Sequence, residues 1–155
     1  METFLRETTQ QRSLNPWYVT GLVDGEGSFT FNRCGNHMNL CFAMKLTGQD
    51  RNVLVLLQSF FGEMGYIYSV KAFISNSGRT KASAYFRVTR ISDLLRIIKH
   101  FEEFPLVSTK KQAFQIWREM VIFKRDNFKK KHQAKLEILA KELSAISPRN
   151  QAWHT

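Results

Sequence analysis

Two acidic residues set between glycines form the most specific chemical pattern in the chain. Asp24 and Glu26 alternate with Gly25 and Gly27, directly after an apolar segment. Carboxylate and backbone carbonyl oxygens are the ligands that hard divalent cations prefer. The pattern therefore predicts a metal site, and the competing interpretation is a helix whose acidic end is exposed and binds nothing.

The residues before this pattern predict the helix that carries it. Asn15 is a favourable N-cap, and Pro16 suits the first helical position, where its missing N–H is no loss. We expect the helix to run to Val23 and the segment Gly25–Gly27 to break it. Acidic side chains at a helix C-terminus are disfavoured by about 0.3 to 1 kcal/mol, because the helix dipole is negative there. A cation at this end would offset that charge, which favours the metal site.

Alternating polar and apolar residues after this helix predict four strands in two hairpins. The predicted strands are Ser28–Asn32, Asn39–Leu46, Tyr66–Lys71 and Ser83–Thr89. A loop rich in turn formers and positive charge joins the second pair at residues 76–81. Three further helices are predicted, from Asp50 to Gly62, from Ser92 to Phe101 and from Ser108 to Phe123.

This order predicts an α+β fold with an antiparallel sheet, in the arrangement αββαββα. Residues 14–125 form the predicted domain, and residues 1–13 form a flexible lead-in. Residues 126–155 are basic, with Leu136, Leu139 and Leu143 at helical spacing. They predict a C-terminal basic helix that packs on the domain and ends at Pro148.

Composition favours a soluble, nucleic-acid-binding protein. The 155 residues carry 23 Lys and Arg against 13 Asp and Glu, a formal net charge of +10 that favours a polyanionic partner. No apolar run reaches the roughly 18 residues that cross a membrane. Two cysteines suit a reducing compartment, and the acidic N-terminus does not resemble a targeting peptide. These features leave the host compartment unknown beyond an intracellular reducing one, either a mitochondrion or chloroplast that encodes the protein or a prokaryotic cytoplasm.

The strand alternation leaves one face of the sheet polar and cationic. A twisted antiparallel ribbon of this kind fits the major groove of DNA, where base edges present a readable donor and acceptor pattern. Lys45 and Arg87 suit guanine, and Asn32 and Asn39 suit adenine. The competing interpretation is an ordinary solvated face. The predicted DNA-binding residues on this face and its loops are Ser28, Thr30, Asn32, Asn36, Asn39, Cys41, Lys45, Tyr68, Arg79, Lys81, Tyr85 and Arg87.

Residues 19–27, with Asn-Pro-Trp-Tyr before them and Ser-Phe after them, resemble the signature of the LAGLIDADG homing endonucleases, especially the single-motif members. The resemblance covers roughly residues 14 to 125. It implies a saddle-shaped sheet that straddles double-stranded DNA. It also implies a homodimer in which two motif helices pack through Tyr18, Gly21, Leu22 and Gly25, a face on which the two glycines let the backbones approach closely.

The same resemblance implies a function, a site-specific double-strand DNA endonuclease encoded within an intron. The enzyme would hydrolyse phosphodiester bonds with Mg²⁺ at a long pseudo-palindromic target and leave 3′ overhangs. Mn²⁺ is expected to substitute, and Ca²⁺ to support binding without cleavage.

A few positions carry what the resemblance implies for the active site. Glu26 would bind the catalytic metal, Gly25 would lend its carbonyl, and Lys110 would be the active-site lysine, with Lys111 as the fallback. Gly48 departs from the polar residue that relatives often carry, which puts the ordering of water near the site in doubt. The alternative function is an RNA-binding intron maturase that does not cleave DNA.

Overall fold

A four-stranded antiparallel sheet carries the helices on one of its faces. The computed structural model describes residues 13–128 and 133–146. The lead-in predicted at residues 1–13 lies outside these ranges except for Ser13, and so do residues 129–132 and 147–155 of the predicted C-terminal segment. The predicted end of the last helix at Pro148 therefore falls outside the described residues.

The observed elements contain the predicted order αββαββα, with a short extra hairpin within the second strand pair and two further helices, both predicted, after the third helix. The helices are α1 (Pro16–Glu26), α2 (Arg51–Phe60), α3 (Ile91–Glu103), α4 (Lys110–Asp126) and α5 (Gln133–Ile146). The strands are β1 (Gly27–Cys34), β2 (His37–Thr47), β3 (Tyr66–Val70), β4 (Phe73–Ser75), β5 (Gly78–Thr80) and β6 (Ser83–Val88). The main sheet has the order β1-β2-β6-β3, and β4 pairs with β5 in a separate small hairpin. The predicted fold class is confirmed.

The hydrophobic core lies between the sheet and the helices. Phe29 of β1 is its aromatic centre, with ring centroids 5.6 Å from Phe42, 5.2 Å from Phe114 and 5.1 Å from Trp117. The indole of Trp117 is fully buried and donates to the carbonyl of Thr30 at 3.1 Å. These contacts fix α4 against β1, next to the end of α1.

Helix α1 begins as predicted and ends differently. The side chain of Asn15 accepts the N–H of Trp17 at 2.9 Å, which confirms the cap. The predicted last helical residue, Val23, is three residues too early, since α1 continues through Gly25 to Glu26 and is ended by the last residue of the predicted breaking segment. Gly27 ends it, because a Cβ there would lie 2.6 Å from Cγ1 and 2.9 Å from the carbonyl oxygen of Val23. Only glycine lets β1 leave the helix at this angle.

Two other helix starts are shifted from the prediction. Arg90 occupies the N-cap of α3, so Ser92 lies in the first turn instead of capping it. Helix α4 begins at Lys110, two residues after Ser108, although the Ser108 hydroxyl accepts the N–H of Lys110 at 3.2 Å. Helix ends fray and their bounds differ by one or two residues between definitions, and both shifts are of this size.

Helix α5 packs on α4 through Leu136, Leu139 and Leu143, which are all buried. Its Glu137 pairs with Arg33 of β1, so the helix is tied to the sheet as well. The segment boundaries predicted at residues 125 and 126 stay a prediction. Among the described residues, no helix is both long enough and apolar enough to cross a membrane.

Candidate active site and nucleic-acid interface

The carboxylate of Asp24 joins the end of α1 to the segment that leads into α4. Its Oδ2 accepts the N–H of Val107 at 2.9 Å. Its Oδ1 accepts the N–H of Ser108 at 3.2 Å and the Ser108 hydroxyl at 2.7 Å. Both oxygens of Asp24 are thus engaged by the protein itself.

Lys110 reaches the same end of α1 from the first turn of α4. Its Nζ donates to the carbonyl oxygen of Val23 at 3.0 Å, whereas Lys111 is exposed to solvent. The ammonium therefore lies at the negative end of α1, while Asp24 lies at the positive, N-terminal end of α4. Of the two lysines considered from the sequence, the structure brings Lys110 to the acidic motif.

Glu26 differs from Asp24 in its surroundings. It is exposed, and among the described residues no hydrogen bond or ion pair involves its carboxylate. Val23 and Glu26 are three residues apart in α1, so Glu26 lies one helical turn from the carbonyl that Lys110 contacts. The motif therefore contains one carboxylate used within the chain and one available to a ligand.

The residues at this end of α1 fit a hard divalent cation. Gly25 lies in the last helical turn, where carbonyl oxygens have no intrahelical partner, and the space next to its Cα is open. A carboxylate and a carbonyl oxygen suit Mg²⁺ or Ca²⁺. Within the described part of the chain, no group of three or more His, Cys, Asp or Glu residues forms a metal cluster. Glu26 and the carbonyl of Gly25 would by themselves fill only part of the coordination shell of such a cation.

One face of α1 is exposed and combines aromatic with small residues. Tyr18 is 50% exposed, and a Cβ built at Gly21 or Gly25 meets no atom within 4 Å. Leu22 is half-buried between them. Trp17 is 57% exposed and packs edge-on against Phe104, a feature that sequence periodicity did not single out. The four predicted interface residues share an open helix face.

The strand register places the predicted DNA-binding residues of the strands on the sheet face opposite the helices. Thr30 pairs with Cys41, and Asn32 pairs with Asn39, across β1 and β2. The cross-strand pairs Lys45↔Tyr85, Ala43↔Arg87 and Tyr68↔Tyr85 extend this face over β2, β6 and β3. Ser28 of the edge strand β1 pairs with Ala43 of β2 on the same face.

Cys41 is a correction to the predicted set. It lies on the predicted face but is only 1% exposed, so it does not offer a surface to DNA. Its neighbour Arg87 is half-buried, and hydrogen bonding to Cys41, followed by hydrogen bonding to Tyr68, raises the pKa of its guanidinium. Arg87 Nε is a buried donor with no hydrogen-bond partner among the described residues. The arginine is therefore held in the face, above Cys41, by its neighbours.

Three tyrosines form a stacked row on this face. The rings of Tyr68 and Tyr85 lie 4.8 Å apart and nearly parallel, at 4°, and Tyr66 stacks on Tyr68 at 6.0 Å. The Nζ of Lys45 lies 5.5 Å from the centre of the Tyr85 ring. Tyr66 was missing from the predicted set, although its spacing of two residues from Tyr68 in a strand was the signal that could have found it.

The remaining predicted residues lie at the ends of the hairpins. Asn36 is exposed in the turn between β1 and β2, next to Gly35, whose φ of +58° suits glycine. Arg79 of β5 and Lys81 just after it are exposed. The hairpin β4–β5 was predicted only as a loop, and it also exposes Ile74, which is 78% accessible.

The family model that describes the LAGLIDADG endonucleases matches residues 19–121. The curated relative "Probable intron-encoded endonuclease 3" of Neurospora crassa is 31% identical over 115 residues, which cover 70% of this chain and 20% of the relative. The chain thus spans about a fifth of that relative's length.

Two solved structures share the fold. The LAGLIDADG meganuclease I-CpaMI, bound to uncleaved DNA, has a TM-score of 0.66 and 30% identity, and the match covers 80% of this chain and 42% of that one. The homing endonuclease I-TnaI has a TM-score of 0.66 and 23% identity, with 87% of this chain and 97% of that one covered. The first match spans less than half of its neighbour, and the second spans nearly all of it.

Proposed function

The chain belongs to the LAGLIDADG endonuclease family, and on this premise we propose that it is a site-specific double-strand DNA endonuclease of the homing type, encoded within an intron. It hydrolyses phosphodiester bonds and leaves 3′ overhangs. Glu26 is the observation that carries the proposal. It stands in the acidic position of the family motif, exposed at the end of α1, and no described residue neutralises it.

Glu26 and the carbonyl of Gly25 are the ligands that this chain contributes to a divalent cation, which we take to be Mg²⁺, with Mn²⁺ as a substitute and Ca²⁺ supporting binding alone. When bound, such a cation would polarise the scissile phosphate and lower the pKa of an attacking water. Lys110 lies one turn away, where its ammonium stabilises negative charge on the phosphate or orients hydroxide. Asp24 is the less suitable ligand of the two acids, because its oxygens already accept three hydrogen bonds from Val107 and Ser108.

The working enzyme is a homodimer. Each chain has one Glu26, and cleavage of both strands needs two active sites. The open face of α1 at Tyr18, Gly21, Leu22 and Gly25 allows two helices to approach closely and brings both Glu26 carboxylates near a two-fold axis. The mutual repulsion of these carboxylates would be relieved by bound cations. A two-fold dimer implies a pseudo-palindromic target.

The open sheet face is the DNA-binding surface. Its asparagines, Lys45 and Arg87 suit base edges in the major groove, and Arg79 and Lys81 suit phosphates. The stacked tyrosines support Lys45 and Arg87 from within the same face. A net charge of +10 favours the association of the whole chain with DNA.

The test begins with selection of the target. The protein is incubated with random-sequence duplexes in Ca²⁺, and the bound DNA is sequenced. A supercoiled plasmid that carries the selected sequence should then be linearised in Mg²⁺ and stay intact in EDTA. A plasmid without the sequence serves as the control. Intact target plasmid in both Mg²⁺ and Mn²⁺ would refute the proposal.

The maturase alternative predicts high affinity for the host intron RNA and no plasmid cleavage. The exposed carboxylate of Glu26 at the end of α1 repels a polyanion unless a cation is bound to it. A protein that only binds RNA has no use for such a carboxylate, so its presence favours the nuclease. Splicing of the intron with and without protein measures the alternative directly.

A further inference from the structure

The segment between α3 and α4 carries Lys110 to the end of α1, and its outer part has few anchors of its own. Leu106 is buried, whereas Val107 is 87% exposed and Ser108 is exposed too. Exposed backbone N–H groups in a linker are normally satisfied by water. Here the N–H groups of Val107 and Ser108 both donate to Asp24 instead.

Hydrogen bonds link Asp24 to Lys110 in a closed circuit. The Ser108 hydroxyl donates to Asp24 at 2.7 Å and accepts the N–H of Lys110 at 3.2 Å. The carbonyl of Ser108 accepts the N–H of Lys111 at 3.0 Å, which starts α4. The Lys110 Nζ then returns to Val23, the residue before Asp24, at 3.0 Å.

The start of the same segment is fixed independently. The hydroxyl of Thr20 donates to the carbonyl of Phe104 at 2.9 Å, so the Nε2 of His100, 3.1 Å away, must be the donor to Thr20. Burial lowers the pKa of His100 to about 4, which keeps the ring neutral in this role. Because Thr20 and His100 hold Phe104, the part of the segment that depends on Asp24 is the three residues from Val107 to Thr109.

We propose that Asp24 is a positioning residue for cleavage, which sets the place of the Lys110 ammonium relative to Glu26 by holding Val107 and Ser108. This inference rests on the proposed function. It gives the two acids of the motif separate tasks, since Glu26 holds the metal and Asp24 holds the lysine.

Asp24→Asn tests the inference, because it keeps the shape of the side chain and replaces one acceptor oxygen with an NH₂ group. That group cannot accept from Val107 or Ser108, so at least one contact is lost. A displacement of about 1 Å at a reacting centre can lower a rate about a hundredfold. We expect the single-turnover cleavage rate to fall by roughly ten- to a hundredfold, while the affinity for the target in Ca²⁺ changes by less than about twofold.

A double-mutant cycle with Lys110→Met separates positioning from a merely structural role. If Asp24 acts through Lys110, Asp24→Asn should cause no further loss of rate in the Lys110→Met protein. An equal loss in both backgrounds would overturn the inference. Asp126→Asn, at the exposed end of α4, is the matched control and should leave the rate unchanged.

A measurement on the free protein keeps the inference separate from the proposed function. The lysines are reductively methylated with ¹³C, and the Lys110 signal is assigned by its absence from the Lys110→Arg protein. In Asp24→Asn this signal should move to the position of exposed lysines, and the amides of Val107 and Ser108 should lose protection from hydrogen exchange. An unchanged Lys110 signal refutes the inference whether or not the protein cuts DNA.

The two failures are therefore distinguishable. If the wild type cuts no DNA but the Lys110 signal moves in the Asp24→Asn protein, the proposed nuclease function is refuted. The link between Asp24 and Lys110 is then retained. Ser108→Ala is the second variant if Asp24→Asn does not fold. It removes only the hydroxyl bonds and should give a smaller shift in the same direction, and no shift would count against the inference.

Discussion

Substitution of Gly21 by alanine should affect the monomer and the dimer in opposite directions. Gly21 lies in the middle of α1, and a Cβ there meets no atom within 4 Å in the single chain. Glycine in a helix interior is about 1 kcal/mol less favourable than alanine. Gly21→Ala should therefore raise the free energy of unfolding of the monomer by about 0.5 to 1 kcal/mol.

In the dimer the added methyl group enters the helix–helix contact. Overpacking of a tight contact costs about 1 to 3 kcal/mol, and a two-fold axis places two such methyl groups in one interface. Since about 1.4 kcal/mol corresponds to a tenfold change in affinity, the dissociation constant of the dimer should rise by at least about tenfold. Analytical ultracentrifugation measures the dissociation constant of the dimer. Urea unfolding at protein concentrations below that dissociation constant measures the free energy of unfolding of the monomer.

Gly27→Ala is the matched control for this experiment. A Cβ at Gly27 would lie 2.6 Å from Cγ1 and 2.9 Å from the carbonyl oxygen of Val23, so the clash is within one chain. The monomer should lose about 1 to 3 kcal/mol of stability. The reasoning is refuted if Gly21→Ala dimerises with wild-type affinity, or if it destabilises the monomer as Gly27→Ala does.

Three further predictions test the fold around the site. Phe42→Ala should lower the free energy of unfolding by about 3 to 5 kcal/mol, because Phe42 is fully buried. Phe73→Ala, at a half-exposed side chain, should change it by no more than about 0.5 kcal/mol. Similar urea midpoints for the two variants would contradict the core assignment. The pKa of His100 is lowered from 6.5 to about 4 by burial, so as the pH falls below 6.5 the unfolded chain binds the proton first, and the wild type should lose stability down to pH 4. Because the ring is partly solvated, we expect a loss of roughly 1 to 2 kcal/mol relative to His100→Gln in urea unfolding, and parallel pH curves for the two proteins would refute it. A maleimide should label Cys34 rapidly in the folded protein and Cys41 only after unfolding, because Cys34 is exposed and Cys41 is buried. If mass spectrometry finds both cysteines labelled at equal rates, Cys41 belongs to the DNA-binding surface after all.

Local signals in the sequence were sufficient for the element order and the sheet faces. Strict alternation put Thr30, Asn32 and Lys45 on one face, and the observed register keeps them there. The cap at Asn15 depends on two neighbouring residues, so it could also be predicted. What could not be predicted is set by contacts between distant residues.

Cys41 and Asp24 illustrate that limit. Alternation placed Cys41 on the polar face correctly, but it could not show that Cys41 is only 1% exposed there, beside Arg87 of another strand. Asp24 and Glu26 look equivalent in the sequence, since both are acids at the end of one helix. Their difference comes from Ser108, more than eighty residues away in the chain, which engages one carboxylate and leaves the other exposed. The short hairpin β4–β5 escaped prediction because strands of three residues are too short to show an alternating pattern.

The most direct test of the account compares Glu26→Gln with the wild type on the selected target. Glutamine keeps the size of the side chain and removes the charge that would hold the cation. The account predicts wild-type affinity for the target in Ca²⁺ to within a few fold and no cleavage of either strand in Mg²⁺. Cleavage by Glu26→Gln at a rate near that of the wild type would contradict the central claim that Glu26 holds the catalytic metal.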